Sequence, residues 1–156
     1  MIKTAILTIS DSRTKDTDLS GKAIMALLKT GDFTVCNYEI VKDVEAQIKD
    51  KIIHCADSSG VDLVLTTGGT GFGPRDLTPQ ATLKAIDKRS PGISELIRAE
   101  GFKKTKQAAL SRGEAGIRKN TLIINLPGSV NGAKESLLSI LEIIPHAIDM
   151  MKGKGH

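Results

Sequence analysis

Apolar runs with strand character alternate with stretches of helical periodicity along the whole chain. The first run, Thr4 to Ile9, mixes Ala, Ile and Leu as a strand covered on both faces would. A helix is predicted from Leu19 to about Lys29, capped by Asp18 and stopped by Gly31, with Ile24, Leu27 and Leu28 inward. A strand over Phe33 to Val41 precedes a helix from Val44 to about Ser58, where Val44, Ile48, Ile52 and Cys55 repeat at helical spacing. Asp62 to Thr67 reads as the third strand. Thr78 with Pro79, and again Ser90 with Pro91, read as helix starts. Gln107 to Leu110 reads as a short strand followed by a loop over 111–118, and Thr121 to Leu126 as a clear strand. A helix from Asn131 to Glu142 follows, and Pro145 should separate it from a last turn or two at His146 to Met151. No repeat, linker or low-complexity segment interrupts the pattern. The expected fold is a three-layer α/β/α sandwich with a mostly parallel central sheet, one domain over residues 1–156.

Two of these strands run into glycine turns. The third continues as Thr67-Gly68-Gly69-Thr70-Gly71-Phe72-Gly73-Pro74-Arg75-Asp76-Leu77-Thr78-Pro79, and the last as Asn125-Leu126-Pro127-Gly128-Ser129. In doubly wound sheets ligands lie beyond the carboxyl ends of the strands, so both turns point to one cleft. The first loop brings amides, a cation and a carboxylate together before a helix start, as a phosphorylated ligand and its magnesium require. It is neither of the two familiar phosphate fingerprints. A Walker A loop needs Lys after its last glycine, where this chain has Pro74; a dinucleotide loop needs a third glycine at Pro74 itself.

Composition narrows the chemistry. Three Phe, one Tyr and no Trp among 156 residues leave an aliphatic core and almost nothing on which bases could stack. The net charge of +4 suits anionic ligands, but 22 basic residues are interspersed with 18 acidic ones, so nucleic acid is a poor partner. Cys36 and Cys55 have no metal-like spacing and read as small buried hydrophobes. His54 and His146 lack a ligand partner at helical spacing, and His156 is terminal, which argues against a zinc site or a histidine triad. Without a leader or an apolar run long enough to span a bilayer, the expected location is the cytoplasm, with no membrane contact.

From residue type alone, Asp76 is a magnesium ligand, a partner of Arg75 or a cap of the following turn, and Asp43, just before a helix, reads as an N-cap. Asp11 sits among short polar residues that build turns. Ser111, Arg118, Asn125 and Ser129 are candidate donors to a phosphate or a polar heterocycle.

The chain resembles the molybdopterin adenylyltransferases, the group that includes the gephyrin G domain. The resemblance rests on Leu7-Thr8-Ile9-Ser10-Asp11, Thr67-Gly68-Gly69-Thr70-Gly71, Pro74-Arg75-Asp76-Leu77-Thr78-Pro79, Leu110-Ser111-Arg112, Ala115-Gly116-Ile117-Arg118 and Asn125-Leu126-Pro127-Gly128-Ser129. It implies Mg²⁺-dependent adenylylation of molybdopterin by ATP, with release of pyrophosphate, in molybdenum cofactor biosynthesis. It implies catalytic roles for Asp43 and Asp76, with Asp76 on the metal. Substrate or nucleotide contacts are implied at Asp11, Thr67, Gly68, Gly69, Thr70, Gly71, Arg75, Ser111, Arg118, Asn125, Pro127, Gly128 and Ser129. It further implies a homotrimer and a separate protein for molybdenum insertion. The alternative is a non-catalytic molybdopterin-binding protein of the biosynthesis protein B type. Gly73 replaces another small residue common in relatives, which should only loosen the loop.

Overall fold

The computed structural model describes residues 1–154; His156 lies outside the described residues. Its elements are β1 (Ile2–Ile9), α1 (Leu19–Leu28), β2 (Phe33–Val41), α2 (Glu45–Asp57), β3 (Leu63–Thr67), α3 (Thr78–Ala85), β4 (Lys88–Arg89), α4 (Pro91–Phe102), β5 (Ala115–Arg118), β6 (Thr121–Leu126), α5 (Val130–Ile140) and α6 (Ile144–Met151). The sheet order is β2-β1-β3-β6-β5-β4. β1, β2, β3 and β6 are parallel; at one edge β5 pairs antiparallel with β6, and β4 antiparallel with β5. The expected mostly parallel α/β sheet is what forms.

The pleat sends successive residues to opposite faces, which explains the two separate cores. Ile6, Leu63, Leu65, Leu122 and Ile124 pack with Ile24 of α1, Ile93 and Ile97 of α4, Leu137 of α5 and Ile148 of α6. Leu7, Ile9, Val64 and Ile123 pack on the other face with Ile48, Ile52 and Cys55 of α2 and Ala81 and Ala85 of α3. Phe33 is the phenylalanine that enters the core; Phe72 and Phe102 are exposed. Asp18 caps α1 through Gly21 N at 3.0 Å, as expected. It is also fully buried and accepts from Thr8 Oγ1 at 2.6 Å and Tyr38 Oη at 2.5 Å.

Several expectations need correction. Gln107 to Leu110 is not a strand but part of a short 3₁₀ helix, Lys106–Leu110, started by Thr105 Oγ1 on Gln107 N. Residues 115–118, expected in a loop, form β5, because β6 offers them a ladder. Cys36 is exposed; β2 lies at the sheet edge, where one side of the strand has no neighbour. Asp43 does not cap α2, which begins at Glu45 without a side-chain cap. Thr78 lies inside α3 rather than before it, its hydroxyl spent on Gly68 O at 2.9 Å. Pro145 sits in the first turn of α6, which it starts rather than merely interrupts. Among the described residues no helix is long and apolar enough to cross a membrane.

Candidate functional site

The parallel strands all end at one rim. Ile9 is level with Val41, Thr8 with Thr67, and Thr67 with Leu126, so the residues after β1, β2, β3 and β6 emerge side by side. α1 packs on one face and α2 on the other, which makes the gap between β1 and β3 the switch point of the sheet. Gly68 fills that gap: a Cβ there would lie 2.5 Å from Ile9 O, and its φ of +105° is itself a glycine conformation.

The turns are bound to one another by buried contacts. Gly68 N donates to Leu126 O at 3.1 Å, Thr67 Oγ1 to Pro127 O at 2.6 Å, and Ser20 Oγ to Gly128 O at 2.6 Å. The three carbonyls of the 126–128 turn are thus all engaged inward. Thr78 N meets Gly69 O at 3.1 Å, closing the glycine loop onto α3. The amides of Gly69, Thr70, Gly71 and Phe72 have no acceptor among the described residues.

The acidic groups gather on this loop. Asp76 Oδ2 accepts from Gly73 N at 2.8 Å and lies 2.9 Å from where a Cβ on Gly71 would stand. A Cβ on Gly73 would likewise stand 2.9 Å from Asp76 Oδ2, so the glycine leaves room for the carboxylate. Asp43 Oδ1 lies 3.6 Å from the corresponding position on Gly69. Asp11 joins Asp43 to Arg75: its Oδ1 accepts from Asp43 N at 3.0 Å and its Oδ2 from Arg75 Nε at 2.7 Å. Arg75 also donates to Asp43 O at 3.3 Å, so its partner is Asp11 and not the adjacent Asp76. Its Nη1 has no partner among the described residues.

These contacts set the protonation of the cluster. The Asp43 amide, aided by the Arg75 guanidinium, holds the Asp11 carboxyl below its ordinary range. The Asp43 carboxyl is pushed up, first by partial burial and then by the charge of Asp11, with Asp76 adding to it. Among the described residues no group of three or more metal-ligating side chains is assembled. Two crowded carboxylates beside unpaired amides nevertheless fit a magnesium ion that takes its remaining ligands from phosphate and water. A cation there would relieve the repulsion that raises Asp43.

A second region adjoins the first. Ser111 lines a cavity of about 430 Å³ with Pro127, Ser129, Arg98, Lys104 and Glu135. Ser111 Oγ accepts from Gly113 N at 3.3 Å, while Arg98 fixes the Ser111 and Gly113 carbonyls. Ser129 caps α5 through Gly132 N at 3.1 Å.

Not every expected residue reaches the rim with free valences. Arg118 is opposite Thr121, at the start of β6 and therefore at the other end of the sheet. There it grips Asp57 through two bonds of 3.0 and 2.8 Å and donates to Ala85 O at 2.8 Å. The structure does not bring it to the site. Asn125 is at the rim but buried and saturated: Nδ2 donates to Thr66 and Thr82 at 2.9 Å each, and Oδ1 accepts from Glu114 N at 3.0 Å. Thr67 is likewise occupied as a strut. Sequence reasoning missed Ser20, Thr78 and Arg112, although Thr78 and Arg112 lay inside the quoted motifs; their partners are main-chain carbonyls, which carry no sequence signal.

Comparison with known proteins places this rim in context. Residues 5–146 match the family described as a probable molybdopterin binding domain. The chain is 42% identical over 159 residues to the molybdopterin adenylyltransferase of Helicobacter pylori strain J99, an alignment covering 97% of this chain and 89% of that protein. It is 39% identical over 153 residues to the molybdenum cofactor biosynthesis protein B of Halalkalibacterium halodurans, covering 97% and 89% respectively. Among solved structures, the molybdopterin biosynthesis enzyme MoaB of Thermus thermophilus matches with a TM-score of 0.91 and 47% identity, over 99% of this chain and 98% of that one.

Proposed function

The chain belongs to the molybdopterin-binding domain family of molybdenum cofactor biosynthesis, and from that premise we propose that it is a molybdopterin adenylyltransferase. The observation that carries this reading is the approach of both Asp43 and Asp76 to one glycine loop at the switch point of the sheet. In the reaction a terminal phosphate oxygen of the pterin forms a bond to the α-phosphorus of ATP as the bond to pyrophosphate breaks. The protein has little covalent work to do; it must align two polyanions and offset their repulsion.

Each part of the rim suits that task. The unpaired amides of Gly69 to Phe72 are donors for phosphate oxygens. Arg75, anchored by Asp11, keeps Nη1 for the same purpose. Asp76 and Asp43 would hold Mg²⁺, which when bound supplies charge neutralisation between the two sets of phosphates. Asp43 need not act as a base, because a phosphate monoester with a second pKa of about 6 is already largely ionised at neutral pH. Ser111 and Ser129, which line the adjoining cavity, would receive the pterin. The protein would work as a homotrimer in the cytoplasm and hand its product to a separate molybdenum-insertion protein.

The relative named biosynthesis protein B supports a second reading, in which the chain binds molybdopterin without adenylylating it. Incubation with ATP, Mg²⁺ and molybdopterin separates the two by pyrophosphate release. Asp76→Ala should lower that release by at least about 100-fold, the scale of losing one preorganised electrostatic group, while the protein retains pterin. Wild-type turnover by Asp76→Ala would refute the assignment.

A further inference from the structure

Arg112 makes no contact with a carboxylate at ion-pair distance among the described residues, yet it is half-buried and fully engaged. Its Nε donates to Gly71 O at 2.8 Å, its Nη2 to Asp76 O at 2.6 Å and its Nη1 to Gln80 Oε1 at 3.2 Å. Its own amide donates to Thr70 O at 2.8 Å. All four acceptors lie between residues 70 and 80, on the loop that carries Asp76 and on the helix that follows.

We propose that Arg112 is a positioning residue for adenylyl transfer: it holds the Gly71 and Asp76 carbonyls on its own side of the loop, and thereby sets the loop amides toward the phosphates and fixes the backbone that carries the Asp76 carboxylate. This rests on the adenylyltransferase reading above. The physical reason is the planarity of the peptide unit. In a trans peptide C=O and N–H point in opposite directions. With the carbonyls of Thr70, Gly71 and Asp76 drawn to Arg112, the amides of Gly71, Phe72 and Leu77 must face away from it. Glycines at 68, 69, 71 and 73 give this loop little stiffness of its own, and the positive φ values of Gly68 and Gly69 show how far it departs from ordinary backbone. A fork of fixed geometry is what such a loop needs, since one guanidinium can restrain several acceptors at once. Lysine would keep the charge but could not span the same three groups.

Arg112→Lys and Arg112→Gln in the full chain test this, read by amide hydrogen exchange at Gly73, Asp76 and Thr78 without ligand and by steady-state kinetics. Exchange at Gly73, Asp76 and Thr78, the amides of this segment that hold hydrogen bonds, should accelerate at least about tenfold in both variants, corresponding to loss of about one charge-assisted hydrogen bond. Exchange in β3 and β6 should stay at wild-type rates. The KM for MgATP should rise about tenfold, and that for molybdopterin should stay within about twofold, as expected for loss of an interaction on the nucleotide side. Unchanged exchange at Gly73, Asp76 and Thr78 overturns the proposal, as does full rescue by Lys. Accelerated exchange through β3 and β6 in both variants also overturns it, in favour of a purely structural role. If wild-type protein releases no pyrophosphate, the enzyme reading fails and the exchange experiment still decides whether Arg112 orders the loop.

Discussion

Asn125 separates a ligand contact from an internal strut, and Asn125→Ala shows which it is. The side chain is 3% exposed and joins three elements: Thr66 in β3, Thr82 in α3 and the Glu114 amide at the start of β5. Removing it deletes three hydrogen bonds, each worth about 0.5 to 1.5 kcal/mol net. The two threonine hydroxyls lose a donor but keep their own protons to give elsewhere, whereas the Glu114 amide is left without its acceptor, so the upper half of the range applies and the loss should be about 3 kcal/mol. For a chain of this length that lowers the melting temperature by about 6 to 12 °C. Thermal unfolding followed by far-ultraviolet circular dichroism measures this at one fixed protein concentration, with molybdopterin retention measured well below the transition. The reasoning predicts a large thermal shift and retained pterin. An unchanged transition with pterin binding lost would refute it and make Asn125 a direct ligand contact.

Gly69 has φ +70°, and an added Cβ would run into Thr78 Oγ1. Gly69→Ala should therefore cost about 2 to 4 kcal/mol, from backbone strain plus the broken Thr78 bond, seen as a lower urea midpoint; an unchanged midpoint contradicts the loop geometry. Asp57 has its carboxyl lowered below the ordinary range, chiefly by its hydrogen bond to Arg118. The stability it contributes is present above the unfolded carboxylate pKa of about 3.9 and is lost as pH falls through the lower folded value. Asp57→Asn should lower stability by a constant amount from pH 7 to pH 5, with the gap closing below about pH 4. A gap that persists into strong acid would rule out the charged pair as its source.

The elements most legible in the sequence were those with strong local patterns. Apolar strands such as Leu63–Thr67 and Thr121–Leu126 announced themselves, and Pro79 and Pro91 marked helix starts. β5 was hidden because Ala115 and Gly116 have little strand preference. Gly116 is needed there for space, since a Cβ would run into Ile86 Cδ1, so packing and not propensity makes the strand. The 3₁₀ helix was misread because five residues are too few to show a period; it packs close on α4, where a Cβ on Gly101 would lie 2.7 Å from Ala108 Cβ. At the site, Asp76 and the glycine loop stood out by type and motif and Asp43 only through the family resemblance, but their linkage did not. Asp11 and Arg75 are 64 residues apart, and Arg118 finds Asp57 across 61, pairings that exist only once the strands are in register.

Tyr38 is the sole tyrosine of a chain without tryptophan, and its hydroxyl ends on the enclosed carboxylate of Asp18. Burial and that anion together push its ionisation well above the free phenol. The near-ultraviolet tyrosine signal of this protein thus belongs to one ring whose hydroxyl bridges an edge strand to the cap of the first helix. Alkaline spectrophotometric titration would register the opening of that junction, not the acidity of a surface phenol. The fold thereby carries an intrinsic optical reporter placed where the first strand, the second strand and the first helix are joined.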